Sequence, residues 1–127
     1  MLSYNFRNFR KLWEWFSESL KSDIQDTQGG TTQEGIHCGV MGGTIDIVLK
    51  AFAGISFNDS IIRVNPYIPL AWTKLAFKIL YRENWYEFNL EKNKVTIDVK
   101  GKAEPVLIEW RYKKFLSFDN GKIEVDL

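Results

Sequence analysis

Apolar side chains near the start of the chain recur at spacings of three and four residues, which predicts an amphipathic helix from about Phe9 to Leu20. Arg10, Lys11 and Glu14 fall on the opposite, polar side. The apolar stripe is broad for so short a helix, so the helix needs neighbours that bury it. The stripe consists of Phe9, Leu12, Trp13, Phe16 and Leu20.

A second helix is predicted to begin at Thr31 and to end near Phe52. Thr31 and Glu34 have the T-x-x-E spacing of a capping box, in which the hydroxyl caps a free backbone N–H and the carboxylate reaches back. Gly54 stands where a glycine would end this helix. Glycines inside a helix cost about 1 kcal/mol each relative to alanine, and so many here suggest that another group approaches the backbone closely. These glycines are Gly35, Gly39, Gly42 and Gly43.

After Gly54 the period of the apolar positions changes from 3.6 residues to two, which predicts seven or eight short strands joined by turns. Such a pattern favours an antiparallel β-sandwich. Asn58-Asp59-Ser60 predicts a turn, and Asn120-Gly121 predicts a two-residue hairpin that pairs 115–118 with 122–125. The other alternating segments are 61–64, 77–82, 86–91, 95–100 and 106–113.

The two patterns divide the chain into unlike pieces, 1–54 and 55–127. The first piece holds seven of the nine glycines and none of the three prolines. The predicted fold class is therefore mixed, with two helices followed by an antiparallel β-sandwich. Two helices with this much apolar surface do not make a domain by themselves. Either they pack on the sandwich, or a partner covers them.

Composition and charge exclude several classes of function. The chain has 17 Lys and Arg against 16 Asp and Glu, so it lacks the basic surface that nucleic acid or an anionic membrane requires. No apolar run approaches the roughly 20 residues of a membrane span, and a cytoplasmic location is expected. One cysteine, Cys38, cannot form an internal disulfide or a cysteine-based zinc site, and one histidine, His37, excludes a site with two imidazoles. No metal is expected.

The candidate for chemistry is the glycine-rich loop that opens the second predicted helix, from Gln28 to His37. The free N–H groups and the dipole of a helix N-terminus attract an anion, and the Thr31 and Thr32 hydroxyls can donate to it. His37, expected about a turn and a half inside the helix, adds another donor. On these grounds alone, a single histidine beside a loop is structural more often than functional.

The string GGTTQEGIHCGVMGGTIDIVLKAFAGI and the later IIRVNPYIPLAWTKLAFKILYRENWYEFNL resemble the C-terminal part of glycoside hydrolase family 65, which includes maltose, trehalose and kojibiose phosphorylases and some hydrolases. The resemblance runs from about Phe9 to Lys100 and fades after that. It implies that 1–54 supplies the last helices of an (α/α)6 catalytic barrel and that 55–127 is the C-terminal β-sandwich. The partners of the apolar stripe would then be the other barrel helices, or a second copy bound through these helices.

In the phosphorylases of this family, inorganic phosphate attacks the anomeric carbon of an α-linked disaccharide with inversion, while a glutamic acid protonates the leaving sugar. The resemblance implies that His37 helps to hold the phosphate and that Gly30, Thr31 and Thr32 line the same place. The acid lies upstream in the family, outside this chain, so no catalytic residue is assigned here. The chain is expected to be inactive alone, to need phosphate as co-substrate, and to use no other cofactor.

Other readings of these residues remain open. The capping box explains Glu34, Asp46 fits a hydrogen-bonded position inside the helix, and Cys38 lacks a base in reach because its neighbour His37 points about 100° away. Tryptophans of a small sandwich are usually core or interface residues, although they can stack on sugars. These are Trp72, Trp85 and Trp110.

Two rival hypotheses stand beside the family reading. One is a stand-alone β-sandwich that binds carbohydrate or protein, and the other is a structural chain that assembles through its helical stripe. The sequence also does not determine which linkage is cleaved, or whether phosphate or water cleaves it. It leaves open whether the chain is a split subunit, a truncated gene product or an excised domain.

Overall fold

The structure is a computed structural model that describes residues 8–22, 24–25, 29, 35–104, 106–111, 113–115 and 121–126. The chain divides into two compact units, Met1–Ala51 and Phe52–Leu127. The first unit carries two helices, and the second carries two four-stranded sheets.

The first predicted helix is confirmed as α1, Phe9–Lys21. Asn8 is its N-cap, and its side-chain oxygen accepts from the backbone N–H of Lys11 at 3.2 Å, which replaces one missing intrahelical bond. Leu12 and Phe16 from the apolar stripe are buried, whereas the other stripe members are exposed. The stripe is therefore only partly covered within this chain.

The second helix, α2, covers Cys38–Ile47 and continues as a π-helical turn, Val48–Phe52. The predicted start at Thr31 is wrong, because Gly35, Ile36 and His37 are not helical. Gly35 has φ +94°, a left-handed conformation through which a right-handed helix cannot run. The capping box of Thr31 and Glu34 lies outside the described residues.

Two predictions about α2, its end near Phe52 and a close approach to its glycines, differ in outcome. Gly54 follows the π-helical turn with φ +64°, which confirms the predicted stop near Phe52. Apart from the chain neighbours and the backbone of the helix itself, a Cβ added at Gly39, Gly42 or Gly43 would meet no atom within 4 Å. Nothing in the described part of the chain approaches these helical glycines, so the close approach predicted from them is not seen there.

The described residues of the second unit form eight strands, all shorter than nine residues. They are β1 (Ile55–Asn58), β2 (Ile61–Val64), β3 (Lys74–Tyr81), β4 (Asn84–Glu91), β5 (Lys94–Gly101), β6 (Leu107–Trp110), β7 (Lys113–Phe115) and β8 (Lys122–Asp126).

The strands form two sheets with the orders β1-β2-β6-β7 and β3-β4-β5-β8. Inner-face residues of both sheets share one buried cluster, so the predicted sandwich is confirmed. Every pair is antiparallel except β2 with β6, which is parallel. This pair corrects the expectation of a purely antiparallel sandwich. The chain makes three strands of the other sheet between β2 and β6, and it returns in the same direction.

The hairpin predicted at Asn120-Gly121 falls largely on residues 116–120, which lie outside the described residues. β7 pairs with β6 and β8 pairs with β5, so the two strands belong to different sheets. The expected strand 106–113 is interrupted after Trp110, where Arg111 has φ +43° and turns the chain back. Gly121 does adopt a left-handed conformation, φ +75°, and its carbonyl accepts from Val99 N–H at 2.7 Å. Asn120 lies outside the described residues.

Two local turns do form hairpins. Asp59, with φ +46°, lies between β1 and β2, as the turn Asn58-Asp59-Ser60 predicted. Arg82 and Glu83, with φ +49° and +64°, make the two-residue link between β3 and β4, which has the signs of a type I′ turn. The hydroxyl of Tyr81 donates to the carbonyl of Asp59 at 2.7 Å and joins the two turns.

Candidate functional site

His37 is the N-cap of α2, at the boundary between the glycine-rich loop and the helix. This position corrects the expectation that the histidine lies inside the helix. Its backbone is extended, with φ −84° and ψ 96°, and its side chain is half-buried. Gly30, Thr31 and Thr32 lie outside the described residues, so their placement beside His37 stays a prediction.

The N-terminus of α2 has an electrostatic character that suits an anion. The backbone N–H groups of Val40 and Met41 donate to the carbonyl of His37 at 2.9 and 3.1 Å, whereas Cys38 and Gly39 precede the first such bond. The side chain of His37 makes no capping hydrogen bond to the helix, and the first turn contains no acidic residue. The positive end of the helix dipole is therefore not neutralised by a carboxylate of that turn.

The other candidate side chains of the first unit have structural roles or lie outside the described residues. Asp46 pairs with Lys50 one turn further along α2, as a helix-surface ion pair does. Cys38 is an exposed free thiol. Glu34 lies outside the described residues. Within the described ranges, no group of three or more His, Cys, Asp or Glu residues could hold a metal ion.

The three tryptophans of the second unit differ in exposure. Trp110 belongs to the core and is 2% exposed, and the ring of Trp72 lies 5.0 Å from that of Phe52. Trp85 is 51% exposed on β4, where its register partners are Leu80 on β3 and Lys100 on β5. Of these three, Trp85 is the one whose ring is open enough to stack on a ligand.

A shallow depression of about 180 Å³ lies at one end of the sandwich, where charged side chains meet. The sequence did not predict it. Lys92 from the β4–β5 turn lies there, and its ammonium donates to the carbonyl of Leu70 at 3.3 Å. Arg111, which has a left-handed backbone conformation, also lines this depression, and no local pattern in the sequence predicts that it lies near Lys92. The lining residues are Pro66, Tyr67, Ile68, Glu91, Lys92 and Arg111.

Comparison with known proteins shows the family to which the chain belongs. Residues 55–115 match the model of the glycosyl hydrolase family 65 C-terminal domain. This segment contains β1 to β7, which is most of the sandwich. The chain belongs to glycoside hydrolase family 65, and it corresponds to the C-terminal part of that family.

The relatives include both hydrolase-named and phosphorylase-named proteins. An uncharacterized glycosyl hydrolase of Mycobacterium tuberculosis is 37% identical over 99 residues, which cover 77% of this chain and 8% of that protein. A trehalose 6-phosphate phosphorylase of Lactococcus lactis is 36% identical, over 71% of this chain and 12% of its own length. A kojibiose phosphorylase of Caldanaerobacter subterraneus is 30% identical, over 83% and 14%.

A solved structure shares the fold. It comes from the human microbiome and carries a provisional assignment as a kojibiose phosphorylase. The TM-score is 0.76 at 23% identity, over 90% of this chain and 15% of that chain. This chain thus spans less than a sixth of the proteins compared here. No helix in the described ranges is both long enough and apolar enough to cross a membrane.

Proposed function

We propose that this chain supplies the C-terminal segment of an inverting phosphorylase, or hydrolase, that acts on α-glucosides. In this proposal α1 and α2 are the last helices of an (α/α)6 barrel, and the loop that ends at His37 forms part of its phosphate site. The observation that carries the proposal is the position of His37 at the N-terminus of α2, whose first turn contains no acidic residue. A contiguous match over 83% of the chain, as with the kojibiose phosphorylase, necessarily includes this position.

The described part of the site offers donors to an anion. The helix N-terminus provides backbone N–H groups and a partial positive charge, and the imidazole of His37 provides a further donor. Thr31, Thr32 and Gly30 complete the proposed set. Together these groups would hold phosphate while one of its oxygens attacks the anomeric carbon and the glycosidic C–O bond breaks. The leaving sugar takes its proton from an acid outside this chain, and the product is glucose 1-phosphate.

The partly uncovered surface of α1 supports the need for a larger assembly. Phe9, Trp13 and Trp15 are exposed, and exposed aromatic side chains in such a cluster are typical of an interface. In the proposal, the remaining barrel helices cover them, and the isolated chain has no turnover. A second copy that covers this surface through α1 is the other partner that the same exposure fits.

The proposal is tested in a chimera in which this chain replaces the matching segment of the kojibiose phosphorylase relative. We expect His37→Ala to raise the KM for phosphate at least tenfold, about 1.4 kcal/mol, and to change the KM for kojibiose less than twofold. Asp46→Asn is the matched control, because Asp46 lies on the same helix but pairs with Lys50. Equal phosphate KM values for His37→Ala and Asp46→Asn would contradict the assignment of His37 to the phosphate site.

A second candidate function is a β-sandwich module that binds carbohydrate without catalysis. The exposed ring of Trp85 favours it, since a flat ring can stack on the apolar face of a pyranose while neighbouring polar side chains meet its hydroxyls. Retention of the chain on immobilised maltooligosaccharide that Trp85→Ala abolishes and Trp72→Phe preserves would support this function. Passage of the unsubstituted chain without retardation would reject it.

A further inference from the structure

The depression at one end of the sandwich is lined by more positive than negative charge. Lys92 and Arg111 each contribute one positive charge to the lining, and Glu91 contributes one negative charge, which leaves a net charge of +1. In the part of the chain that the structure describes, neither cation forms an ion pair with a carboxylate. The depression therefore attracts an anion.

Both cations are held in place by contacts that leave donors available. The Lys92 ammonium donates to the carbonyl of Leu70 at 3.3 Å, which uses one of its three N–H groups. The Arg111 backbone N–H donates to the carbonyl of Val64 at 3.1 Å, and its guanidinium lies over the Trp110 ring, 5.7 Å from the ring centre. A cation–π contact keeps the positive charge and does not consume the in-plane N–H donors.

The backbone that forms one side of the depression is also fixed. The N–H of Tyr67 donates to the carbonyl of Phe52 at 2.7 Å, and the ring of Pro66 restricts the backbone at the preceding position in the chain. Ile68 packs against the buried core of the sandwich. Because these groups are ordered before a ligand arrives, binding costs less conformational entropy than binding to mobile side chains and loops.

The lining residues define the chemistry of the ligand. Arginine presents parallel N–H donors that match two oxygens of a phosphoryl group, and lysine adds a compact positive charge. Glu91 repels a bare phosphate ion, but its carboxylate oxygens accept hydrogen bonds from hydroxyl groups. The combination suits an anion that carries hydroxyl groups beside its phosphoryl group. The volume of about 180 Å³ is below the about 300 Å³ of the smallest typical ligand pockets, so the ligand is small and partly exposed.

We propose that this depression binds a sugar phosphate. Arg111 and Lys92 contact the phosphoryl oxygens, and Glu91 accepts a hydrogen bond from a hydroxyl group of the sugar. The inference goes beyond the proposed function and does not rest on it, because every residue of the depression belongs to the sandwich and His37 does not line it.

The direct test is a titration of the full chain with glucose 6-phosphate, followed by NMR of the backbone amides. The chain carries His37→Ala, so that the histidine of the proposed phosphate site does not contribute to the binding that is measured. We expect saturable shifts at the amides of Tyr67, Lys92 and Arg111, with a dissociation constant of about 1 mM because the site is shallow. Inorganic phosphate and glucose, titrated separately, should each bind at least about threefold more weakly.

Substitution of the two cations tests their contacts with the phosphoryl group. We expect Arg111→Gln to raise the dissociation constant about fivefold or more, and Lys92→Gln about threefold, since each removes a charge-assisted hydrogen bond. Arg82→Gln is the matched control. Arg82 also has a left-handed backbone and lies 5.6 Å from the centre of a neighbouring aromatic ring, but it does not line the depression. Its loss should change the dissociation constant by less than about twofold, because salt screens an exposed distant charge.

Glu91→Ala tests the contact with the sugar. The variant removes a charge that repels inorganic phosphate and an acceptor that the sugar hydroxyl uses. We therefore expect inorganic phosphate to bind more tightly, glucose 6-phosphate not to bind more tightly, and the preference between the two ligands to narrow.

Three outcomes overturn the proposal. They are the absence of saturable shifts with glucose 6-phosphate, equal weakening by Arg111→Gln and Arg82→Gln, and binding of inorganic phosphate as tight as that of glucose 6-phosphate when Glu91 is present. Each of these outcomes leaves the assignment of His37 untouched, because His37 is absent from the titrated chain.

Discussion

Individual buried polar groups show how closely the sandwich core depends on hydrogen bonding. The Tyr86 hydroxyl is fully buried and accepts from the backbone N–H of Val106 at 3.0 Å. This bond ties β4 to the segment that enters β6. The alternating pattern of 86–91 predicted a strand that begins at Tyr86, but the bonding partner of Tyr86, 20 positions away, could not be predicted from local pattern.

Tyr86→Phe should lower the free energy of unfolding by about 1–3 kcal/mol, because it leaves a buried N–H without an acceptor. Tyr81→Phe is the control, since the Tyr81 hydroxyl bonds the Asp59 carbonyl at the exposed end of the sandwich, where water can replace it. Urea unfolding of both variants checks this. Equal destabilisation of the two would contradict the role given to the buried bond.

At the surface, Glu124 accepts from the ammonium groups of Lys94 at 2.6 Å and Lys122 at 3.1 Å. The hydrogen bond from Lys94 is the main cause that lowers the pKa of Glu124, and Glu124 in turn raises the pKa of Lys94. Since the folded-state pKa of Glu124 is depressed, its contribution to stability exists above the unfolded pKa and is lost as pH falls through the folded pKa. Because both side chains of this ion pair are exposed to solvent, that contribution is small.

We expect Lys94→Gln to move the pKa of Glu124 up towards its ordinary value and Lys122→Gln to move it less, as followed by an NMR titration of the carboxyl carbon. The order follows from the shorter bond to Lys94. A larger shift in the Lys122→Gln variant would reverse the assigned cause.

At the scale of elements, local patterns in the sequence predicted where helices and strands lie, but not which strands pair when they are distant in the chain. The spacing of apolar residues located α1, and period-two alternation located β3, β4 and β5, which are joined by short hairpins. Alternation does not specify which strands pair, so β2 with β6 and β5 with β8 could not be predicted. The start of α2 was misplaced because a capping-box spacing says nothing about the left-handed conformation of the Gly35 that follows.

Two glycines at the ends of elements, Gly54 and Gly121, have a left-handed backbone. Gly54→Ala should destabilise the sandwich more than Gly121→Ala. In both variants a left-handed backbone at alanine costs about 1–2 kcal/mol of stability. A Cβ at Gly54 would overlap the carbonyl of Asn65, whose N–H donates to Gly54 at 3.1 Å, whereas one at Gly121 would lie 2.9 Å from the carbonyl of Val99. Thermal unfolding of the two variants gives the ranking. Equal losses, or a greater loss at Gly121, would contradict it.

At the scale of the whole molecule, the two units carry different parts of the account. The second unit contains the family 65 C-terminal domain, and the sequence was sufficient to predict its sandwich. The first unit carries His37, and the rest of the proposed phosphate loop lies outside the described residues. The family motif raised His37 from a single histidine beside a loop to a candidate ligand, a step that composition and spacing alone could not make.

The most direct test of the central claim is an assay of phosphate-dependent glucose 1-phosphate release from kojibiose. It compares the isolated chain with the chimera in which this chain completes the kojibiose phosphorylase. The account predicts no release by the isolated chain, because it assigns the acid that protonates the leaving sugar to another part of the enzyme. It predicts release by the chimera, which stops when phosphate is omitted. Phosphate-dependent release by the rigorously purified chain alone would contradict the account.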